Sequence, residues 1–263
     1  MSAALLELAR ATGREAAAFV AAERPLGRVD VAATKSTLTD VVTAVDEACE
    51  RLIRGRLLGE RPGDGFLGEE GDEVVGTSGV RWVVDPIDGT VNFIYGIPAY
   101  AVAIAAVVDD AVVAGHVINV VTGEEWGAVR GEGAWRYDGD GRRVLAAPRP
   151  ESLATALVAT GFSYSAETRV KQARALVGLI PHVRDVRRIG SAALDLCGLA
   201  EGRVDAYVEQ GLKPWDLAAA GLVASEAGLV LSGLDGPPDE RLVMAIHPGL
   251  AQEYFDLVRA CGF

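Results

Sequence analysis

The sequence has 263 residues, of which 50% are apolar and 24% are charged, and this length allows one large domain or two closely packed ones. Its 25 basic and 37 acidic residues leave a formal net charge of -12. That charge argues against sequence-independent nucleic-acid binding and against docking on anionic lipid, because both depend on basic surface. It also raises the question of whether some carboxylates gather around a cation.

Hydrophobic periodicity and turn residues predict two amphipathic helices and a run of strands in the first half of the chain. The predicted elements are a helix over 3–23, a helix over about 43–58, strands over 66–70 and 81–85, a hairpin of 99–108 with 111–121, and strands over 126–129 and 133–137. Pro25 and Gly27 should end the first helix, and Pro86, which cannot donate to a ladder, should end the strand before it. Tight turns are predicted at 61–65 and 138–141.

A seam is predicted at 146–150, where two prolines interrupt the chain. Beyond it, helices and strands alternate. The predicted elements are strands over 157–159, 206–209, 229–231 and 242–245, and helices over 167–179, 191–200, 217–226 and 250–259. This alternation is typical of α/β organisation. We therefore predict one compact unit of two halves, residues 1–147 and 148–263.

The sequence indicates neither a membrane segment nor a metal site built on sulfur or imidazole. Its longest apolar run, 99–108, is about half the length that spans a bilayer. Charged residues interrupt the apolar N-terminal stretch, unlike a signal peptide. The cysteines and histidines are few and widely separated: Cys49, Cys197, Cys261, His116, His182 and His247. We therefore expect a cytoplasmic protein with free thiols and no histidine-ligated metal.

The most informative string follows a strongly apolar strand, which delivers Asp85 and, three residues later, Asp88. Two carboxylates on one turn can point at one volume, and with the carbonyl oxygen of Ile87 they form an oxygen-donor set suited to Mg²⁺. Gly89 lets the backbone approach that volume closely, and the N–H of Thr90, at a helix start, can face an anion. The local alternative is a solvated turn whose aspartates serve the backbone.

Two further acidic elements accompany this string. Glu69 and Glu70 end a predicted strand, and adjacent carboxylates repel each other unless a cation or water compensates them. The alternative there is an exposed acidic turn. Asp216 precedes an Ala-rich helix that it could cap, and the lack of bulk in the first turns of that helix indicates close packing. Glu209 ends the strand before it.

A helix entry made of small residues, Gly190-Ser191-Ala192, completes the set of candidate sites. Its backbone N–H groups could hold a polar ligand at the positive end of the helix dipole. The local alternative is a plain capped helix.

Together these strings resemble the inositol monophosphatase family, the magnesium-dependent, lithium-sensitive phosphatases. The matching strings are Asp85-Pro86-Ile87-Asp88-Gly89-Thr90, Trp215-Asp216-Leu217-Ala218-Ala219-Ala220-Gly221, Gly68-Glu69-Glu70, and Lys35 with Asp40-Val41-Val42-Thr43-Ala44-Val45-Asp46. Their order and spacing fit from about residue 5 to the C-terminus, so chance agreement of four separate elements is negligible. The segment 231–244 is shorter than is common in the family, and 161–165 aligns only roughly with a substrate wall.

The resemblance implies a layered αβαβα sandwich of the inositol monophosphatase and fructose-1,6-bisphosphatase type, with an α+β half before an α/β half. It implies two or three Mg²⁺ ions per active site and a homodimer. The implied metal ligands are Glu69, Asp85, the carbonyl of Ile87, Asp88 and Asp216. The implied catalytic residues are Glu69, Thr90 and Asp46. The implied substrate-binding residues are Asp88, Gly89, Thr90, Gly190, Ser191, Ala192, Glu209 and Asp216.

The resemblance also implies an activity, the hydrolysis of a phosphate monoester by in-line attack of an activated water. Asn92-Phe93 after the first motif, and Glu209 at the substrate wall, resemble the inositol branch, so we expect myo-inositol 1-phosphate as substrate. Histidinol phosphate, fructose 1,6-bisphosphate and 3′-phosphoadenosine 5′-phosphate are alternatives. A hypothesis of another class is a role as a transcription antitermination partner, which some bacterial relatives have.

Overall fold

The computed structural model describes residues 1–24, 33–34, 41–139 and 141–263, with the backbone alone for 33–34 and 41–42. Several residues used in the sequence predictions, Pro25, Gly27, Lys35, Asp40 and Asp140, lie outside the described residues. The end of the first helix at the proline, the loop around Lys35 and the full turn at 138–141 therefore stay predictions.

The described helices and strands follow the predicted order closely. The helices are α1 (Ser2–Glu23), α2 (Ala44–Glu60), α3 (Thr90–Tyr95), α4 (Ala166–Leu179), α5 (Ala192–Glu201), α6 (Pro214–Glu226) and α7 (Ala251–Cys261). The strands are β1 (Ala33–Thr34), β2 (Val41–Val42), β3 (Gly65–Gly68), β4 (Val80–Asp88), β5 (Ala101–Val108), β6 (Ala111–Asn119), β7 (Glu125–Val129), β8 (Gly133–Asp138), β9 (Gly141–Val144), β10 (Leu157–Thr160), β11 (Asp185–Arg187), β12 (Ala206–Glu209), β13 (Val230–Ser232) and β14 (Val243–Ile246). Short 3₁₀ turns cover Leu153–Thr155, Ile180–His182 and Pro248–Leu250.

In the part of the chain that the structure describes, two large sheets alternate with three helical layers, and β1 pairs with β2 in a separate two-stranded sheet. Within the described residues, the larger sheet has the order β3-β4-β5-β6-β7-β8-β9 and the smaller one β11-β10-β12-β14-β13. Helices α1 and α2 cover one face of the larger sheet, and α5 and α6 lie between the two sheets. Helices α4 and α7 cover the outer face of the smaller sheet. This is the αβαβα sandwich, which confirms the predicted fold class.

The larger sheet is buried on both faces, and β5 shows how its sequence achieves this. Val102 and Ile104 point towards α1 and α2, whereas Ala101, Ala103 and Ala105 point towards the layer of α5 and α6. Alternate residues of a strand face opposite sides, so the small alanines all fall on one face. That face is where α6 approaches, and the predicted close packing of the Ala-rich helix is confirmed.

The close approach of α6 gives a test of the packing. A Cβ placed on Gly115 of β6 would lie 2.7 Å from the backbone oxygen of Ala219 in α6. Because backbone cannot turn aside as a side chain can, we expect Gly115→Ala to lower the free energy of unfolding by about 1–3 kcal/mol. Urea-induced unfolding measures the change.

A matched substitution serves as the control. Gly55 lies in the middle of α2, is exposed, and has no atom within 4 Å of the position where a Cβ would stand. Gly55→Ala should therefore raise the stability, by up to about 1 kcal/mol, because it restricts the unfolded chain. Equal effects of the two substitutions would contradict the packing argument.

Four of the described strands were not predicted from the sequence: the two-residue strands β1 and β2, and the strands β9 and β11. β9 and β11 lie at the edges of their sheets, and every residue of β9 is exposed. In β11 the outer residues Asp185 and Arg187 are exposed. An edge strand can pair through its backbone without any apolar face, so hydrophobic patterning gives no signal for it.

The predicted division after residue 147 falls between the sheets, because the larger one ends at Val144 and the smaller one begins at Leu157. Helix α6, from the second half, nevertheless packs on the sheet of the first half. The division of one compact unit into these two halves stays a prediction. None of the described helices combines the length and apolar character needed to cross a bilayer.

Candidate active site

An irregularity near the end of β4 brings two aspartates to one place. β4 pairs with β5 as far as Asp85–Ala103, the register then shifts, and pairing resumes at Asp88–Ala101. The strand therefore continues past Pro86, and the prediction that this proline ends it is wrong. A proline has no N–H to donate, and the local shift in register accommodates it within the strand.

Asp85 and Asp88 are both buried, 1% and 8% exposed. Oδ1 of Asp85 accepts a hydrogen bond from the N–H of Ile87 at 3.0 Å. The local alternative was an aspartate whose side chain hydrogen-bonds the backbone of its own turn. One oxygen of Asp85 makes such a bond. Gly89 then takes a φ of 100°, a conformation that favours glycine, and α3 begins at Thr90.

Asp216 reaches the same place from α6. That helix begins at Pro214, so Asp216 is its third residue, and the prediction that it is the N-cap is wrong. Its carboxylate accepts a hydrogen bond from the N–H of Lys213, the N-cap residue, at 2.6 Å. A carboxylate at this third position still satisfies a free N–H group of the first turn. Proline is favoured at the first helical position, which explains the earlier start.

Carboxylate oxygens of Asp85, Asp88 and Asp216 lie within 4.8 Å of one another. Burial raises the pKa of Asp88, hydrogen bonds from Ser191 and the backbone oppose this effect, and the charge of Glu69 adds to it. Burial, together with the charges of Asp88 and Glu69, raises the pKa of Asp216 well above its usual range. The protein itself therefore leaves the negative charge of this group poorly compensated, which is the condition that a bound cation relieves.

Glu69 and Glu70 follow β3, as predicted, and are half-buried rather than exposed. Among the described residues, Glu69 is not a member of the aspartate group, although its charge acts on it. The N–H of Glu70 donates to Oε2 of the buried Glu50 at 2.7 Å. A Cβ on Gly68 would collide with the Glu50 carboxylate, which explains the glycine before the acidic pair.

Asp46 and Thr90 form a hydrogen-bonded pair beneath this group. Thr43 caps α2, and its N–H donates to Oδ2 of Asp46 at 2.9 Å. Oγ1 of Thr90 lies 3.1 Å from Oδ1 of Asp46 and 3.2 Å from the carbonyl oxygen of Ile87, and its single proton can serve one of them at a time. Burial raises the pKa of Asp46, hydrogen bonds from Thr43 and Thr90 oppose this effect, and the charge of Glu69 adds to it.

The entry of α5 completes one side of a cavity of about 310 Å³. Ser191 caps α5, as the local alternative suggested, and its hydroxyl also donates to Oδ2 of Asp88 at 2.6 Å. The N–H of Ala193 donates to the same oxygen at 2.6 Å. Asn92 of α3 holds the segment before α5 in place, because its side-chain amide donates to the carbonyl oxygen of Ile189 at 2.9 Å. It also donates to the carbonyl oxygen of Ala99 at 2.7 Å.

Glu209, at the end of β12, lies in the wall of the same cavity. The hydroxyl of the fully buried Tyr207 donates to its Oε2 at 2.6 Å. A Cβ on Gly161 would collide with the carboxylate, so that glycine makes room for it. Burial raises the pKa of Glu209 to about 7, although the hydrogen bond from Tyr207 and the charge of Arg188 oppose the increase.

The comparisons with known proteins agree with this geometry. The model described as the inositol monophosphatase family matches residues 2–259. The chain belongs to this family. Inositol-1-monophosphatase SuhB of Mycobacterium tuberculosis is 48% identical over 264 residues, which cover 95% of this chain and 91% of the relative. Nus factor SuhB of Pasteurella multocida is 35% identical over 89% of this chain and 88% of its own length.

Solved structures of the inositol monophosphatase family show the same fold. The structure of Mycobacterium tuberculosis SuhB has a TM-score of 0.84 at 46% identity and covers 100% of this chain and 98% of that one. An IMPase of Thermotoga maritima has a TM-score of 0.86 at 26% identity and covers 97% of each chain. The prediction of an enzyme of the phosphoric monoester hydrolase class is confirmed.

The structure adds residues to which the sequence analysis gave no role in this inositol monophosphatase fold. They are Glu50, which holds the acidic pair, Tyr207, which holds Glu209, and Asp195 and Arg188 in the cavity wall. Arg188 and Asp195 flank the Gly190-Ser191 entry in the sequence, and that proximity was the available signal. Glu50 is an ordinary acidic residue of an amphipathic helix in the sequence, and nothing local indicates its role.

Proposed function

We propose that the protein is a Mg²⁺-dependent phosphatase that hydrolyses the monoester of a small polyol, foremost myo-inositol 1-phosphate, to the alcohol and inorganic phosphate. The observation that carries the proposal is the group of Asp85, Asp88 and Asp216 beside a cavity whose far wall holds Glu209. The names of relatives that are 48% identical, inositol-1-monophosphatase, support the choice of alcohol.

The residues that would hold the metal are Glu69, Asp85, the carbonyl of Ile87, Asp88 and Asp216. The fit is chemical, because these are hard oxygen donors, the kind that Mg²⁺ prefers, and the aspartates carry poorly compensated charge. When bound, Mg²⁺ supplies neutralisation of phosphate charge and acidification of water. Two or three ions per site are proposed, as the family resemblance implies.

The chain itself would position the attacking water through Thr90 and Asp46. When Thr90 donates its proton to Oδ1 of Asp46, the lone pairs of its own oxygen are free to accept a hydrogen bond from water. As the water attacks phosphorus, its proton passes to Oγ1 of Thr90 while the Thr90 proton passes to Oδ1 of Asp46. Burial raises the pKa of Asp46, which favours that final state. Glu69, whose charge acts on Asp46, would orient the water from the other side.

Phosphate and alcohol would occupy opposite ends of the cavity. The N–H groups of Gly89 and Thr90 stand at the start of α3, where no intrahelical acceptor exists, and would bind phosphate oxygens. The segment Gly190-Ser191-Ala192 with Glu209 would contact the alcohol. Asp88 and Asp216 also line the cavity and would face the place where the phosphate joins the alcohol.

The role of Thr90 gives a prediction for the rate. We expect Thr90→Val to lower kcat by about a hundredfold with little change in KM, since general-base assistance contributes factors of this size. Thr90→Ser keeps the hydroxyl and is the matched control, with activity near that of the original protein. Steady-state release of phosphate from inositol 1-phosphate measures both. Equal losses in the two variants would show that the hydroxyl has no such role.

A substrate panel tests the proposed activity directly. Phosphate release is measured with inositol 1-phosphate, histidinol phosphate, fructose 1,6-bisphosphate and 3′-phosphoadenosine 5′-phosphate, with and without Mg²⁺ and Li⁺. We expect Mg²⁺-dependent, Li⁺-inhibited release with preference for inositol 1-phosphate. A strong preference for histidinol phosphate or the bisphosphate would overturn the choice of substrate. Absence of release with every substrate would overturn the enzymatic proposal in favour of the binding role.

That binding role, as a transcription antitermination partner, is the second candidate. It is favoured by one observation, the name Nus factor of relatives from Pasteurella multocida and Pseudomonas aeruginosa. The intact group of three aspartates favours the enzyme, because protein binding requires no such group. Neither proposal involves direct binding of nucleic acid or membrane, and both place the protein in the cytoplasm.

We also propose a homodimer, as the family resemblance implies. The apolar residues near the α5 entry, Ala193 and Leu196, are fully buried, so they are not available to a partner. An apolar groove beside α6, lined by Leu217, Leu222 and Leu231 among others, is the better surface for a second copy. Light scattering coupled to size exclusion tests the oligomeric state.

A further inference from the structure

Asp195 is a buried carboxyl group that the proposed mechanism does not use. It lies in the first turns of α5, four residues after the capping Ser191, and is 2% exposed. Among the described residues, its Oδ1 has no hydrogen-bond partner. A buried polar atom without a partner costs roughly 1–3 kcal/mol. Such an atom calls for an explanation, and in the wall of a cavity one explanation is a group outside the chain that satisfies it.

The position of Asp195 indicates what could satisfy it. The residue forms part of the wall of the cavity that also holds Asp88 and Glu209. Glu209 differs from it in one respect, because Oε2 of Glu209 is held by the Tyr207 hydroxyl at 2.6 Å. Of these two carboxyl groups, Glu209 is therefore held in place by the chain, whereas Asp195 has a buried oxygen without a hydrogen-bond partner among the described residues.

The protonation of Asp195 suits a neutral ligand that can both donate and accept. Burial, together with the charges of Glu209 and Asp88, raises the pKa of Asp195 to about 8, although the charge of Arg188 opposes the increase. A carboxyl group that keeps its proton can donate a hydrogen bond and also accept one. A hydroxyl group matches it in both senses, and it carries no charge that would have to be desolvated.

We propose that Asp195 is a further specificity-determining residue, whose Oδ1 binds a hydroxyl group of the alcohol part of the substrate beside Glu209. This inference rests on the proposed phosphatase function. The two carboxyl groups together select phosphate monoesters whose alcohol carries several hydroxyl groups, because an alcohol without them leaves Oδ1 of Asp195 unsatisfied. A site built to bind a hydroxyl group rejects the analogue that lacks it.

The test compares two phosphate esters with the same ring. Inositol 1-phosphate carries ring hydroxyl groups, whereas cyclohexyl phosphate has none. We expect Asp195→Leu to lower kcat/KM for inositol 1-phosphate at least about tenfold, mainly through KM, since one lost hydrogen bond of about 1.4 kcal/mol corresponds to that factor. For cyclohexyl phosphate the same variant should stay within twofold or gain activity.

Two further variants test whether the effect depends on the hydrogen bond of Asp195. Asp195→Asn keeps a donor and an acceptor at the position, so its kcat/KM for inositol 1-phosphate should stay within about threefold of the original value. Asp195→Ala gives the same comparison of substrates if the leucine variant does not fold, as judged by its thermal unfolding. In both apolar variants the ratio of the two substrates is the decisive readout, because a merely structural role would lower both alike.

The outcomes separate this inference from the function on which it rests. If the original protein releases no phosphate from inositol 1-phosphate, the proposed function falls and this inference falls with it. If the original protein hydrolyses both esters and the apolar variants lower both equally, or change neither, the inference alone is overturned.

Discussion

Asp88→Asn is expected to lower the turnover of inositol 1-phosphate by roughly three orders of magnitude while the fold persists, an effect in the range of other lost electrostatic contacts at active sites. Asp88 belongs to the aspartate group and also accepts hydrogen bonds from Ser191 and Ala193 of α5. Asparagine keeps one oxygen for these donors. It removes one of the charges that would hold the metal.

The metal-free stability of Asp88→Asn should not fall, and this separates loss of chemistry from loss of fold. Asp88 and Asp216 repel each other, since the charge of Asp88 raises the pKa of Asp216. Removing one charge relieves that repulsion, so the Tm without metal should be unchanged or higher. Addition of Mg²⁺ should raise the Tm of the original protein and raise that of the variant much less, because binding to the folded state stabilises it.

Asp110→Asn is the matched control for this substitution. Asp110 sits in the turn between β5 and β6 with a φ of 59°, its side chain is fully exposed, and asparagine tolerates that backbone conformation. Its activity and its response to Mg²⁺ should equal those of the original protein. A folded Asp88→Asn variant with turnover within tenfold of the original would refute the proposed site.

Glu125→Gln is expected to lower the free energy of unfolding by about 3 kcal/mol or more, since it breaks a buried network of charged groups. Glu125 of β7 is 4% exposed and accepts hydrogen bonds from Nε of Arg10 at 2.9 Å and from Nε of Arg14 at 2.8 Å. These contacts attach α1 to the larger sheet. Nε2 of the fully buried His116 lies 3.1 Å from the same carboxylate.

The side-chain amide of glutamine would place an N–H donor beside Arg10, Arg14 and His116, which are themselves donors. The Glu125 carboxylate, with a pKa of about 2, can only accept, so Nε2 of His116 carries the proton of their hydrogen bond. For a chain of this size, a loss of about 3 kcal/mol corresponds to a fall in Tm of roughly 6–12 °C. Activity per folded molecule should stay unchanged, because Glu125 and its partners lie outside the cavity.

The difference in stability between the original protein and Glu125→Gln should also depend on pH. Burial alone would raise the pKa of Glu125, but hydrogen bonds from His116, Arg14 and Arg10 outweigh it and hold the value at about 2. A carboxylate whose pKa is lowered by folding stabilises the folded state above its unfolded pKa. The stability difference between Glu125 and Glu125→Gln should therefore be constant above about pH 5 and shrink as the pH falls towards 2.

Glu73→Gln is the control for this substitution. Glu73 is half-exposed, and its carboxylate lies 3.6 Å from Arg81, so the change should alter stability by less than about 1 kcal/mol. Chemical unfolding between pH 3 and pH 8 measures all three proteins. A Glu125→Gln variant as stable as Glu73→Gln would contradict the role of the buried network.

The predicted helices and strands came largely from local signals that the tertiary structure preserves. The helix over 3–23 and the hairpin of 99–108 with 111–121 lie within one or two residues of the observed elements, because their apolar periodicity is long and regular. The errors lie where a local rule was overridden. Pro86 stays within β4 because a shift in register accommodates it, and α6 begins at Pro214 because proline suits the first helical position.

Some features of the candidate site were likewise visible in the sequence, and others only in the fold. The strings around Asp85, Glu69 and Asp216 were recognisable in the sequence, because each requires particular residues at fixed short spacing. That they meet at one site was implied by the family resemblance and not by any local pattern, since Asp216 lies on a helix of the other half of the chain. Glu50 carried no local signal, and Asp195 carried only its proximity to the Gly190-Ser191 entry. The fold gives Glu50 its partner in the backbone of Glu70 and leaves Oδ1 of Asp195 without one among the described residues.

The sequence by itself determined most of the helices and strands and the residue types of the candidate site, because periodicity and short motifs are local properties that one chain displays in order. Through the family that these motifs resemble, it also implied the layered fold. Only the tertiary structure decided which carboxylates come within 4.8 Å of one another, in which direction burial shifts the pKa of each carboxyl group, and which buried oxygen has no hydrogen-bond partner among the described residues. Distance, burial and hydrogen-bond satisfaction depend on segments far apart in the chain, and no local pattern encodes them.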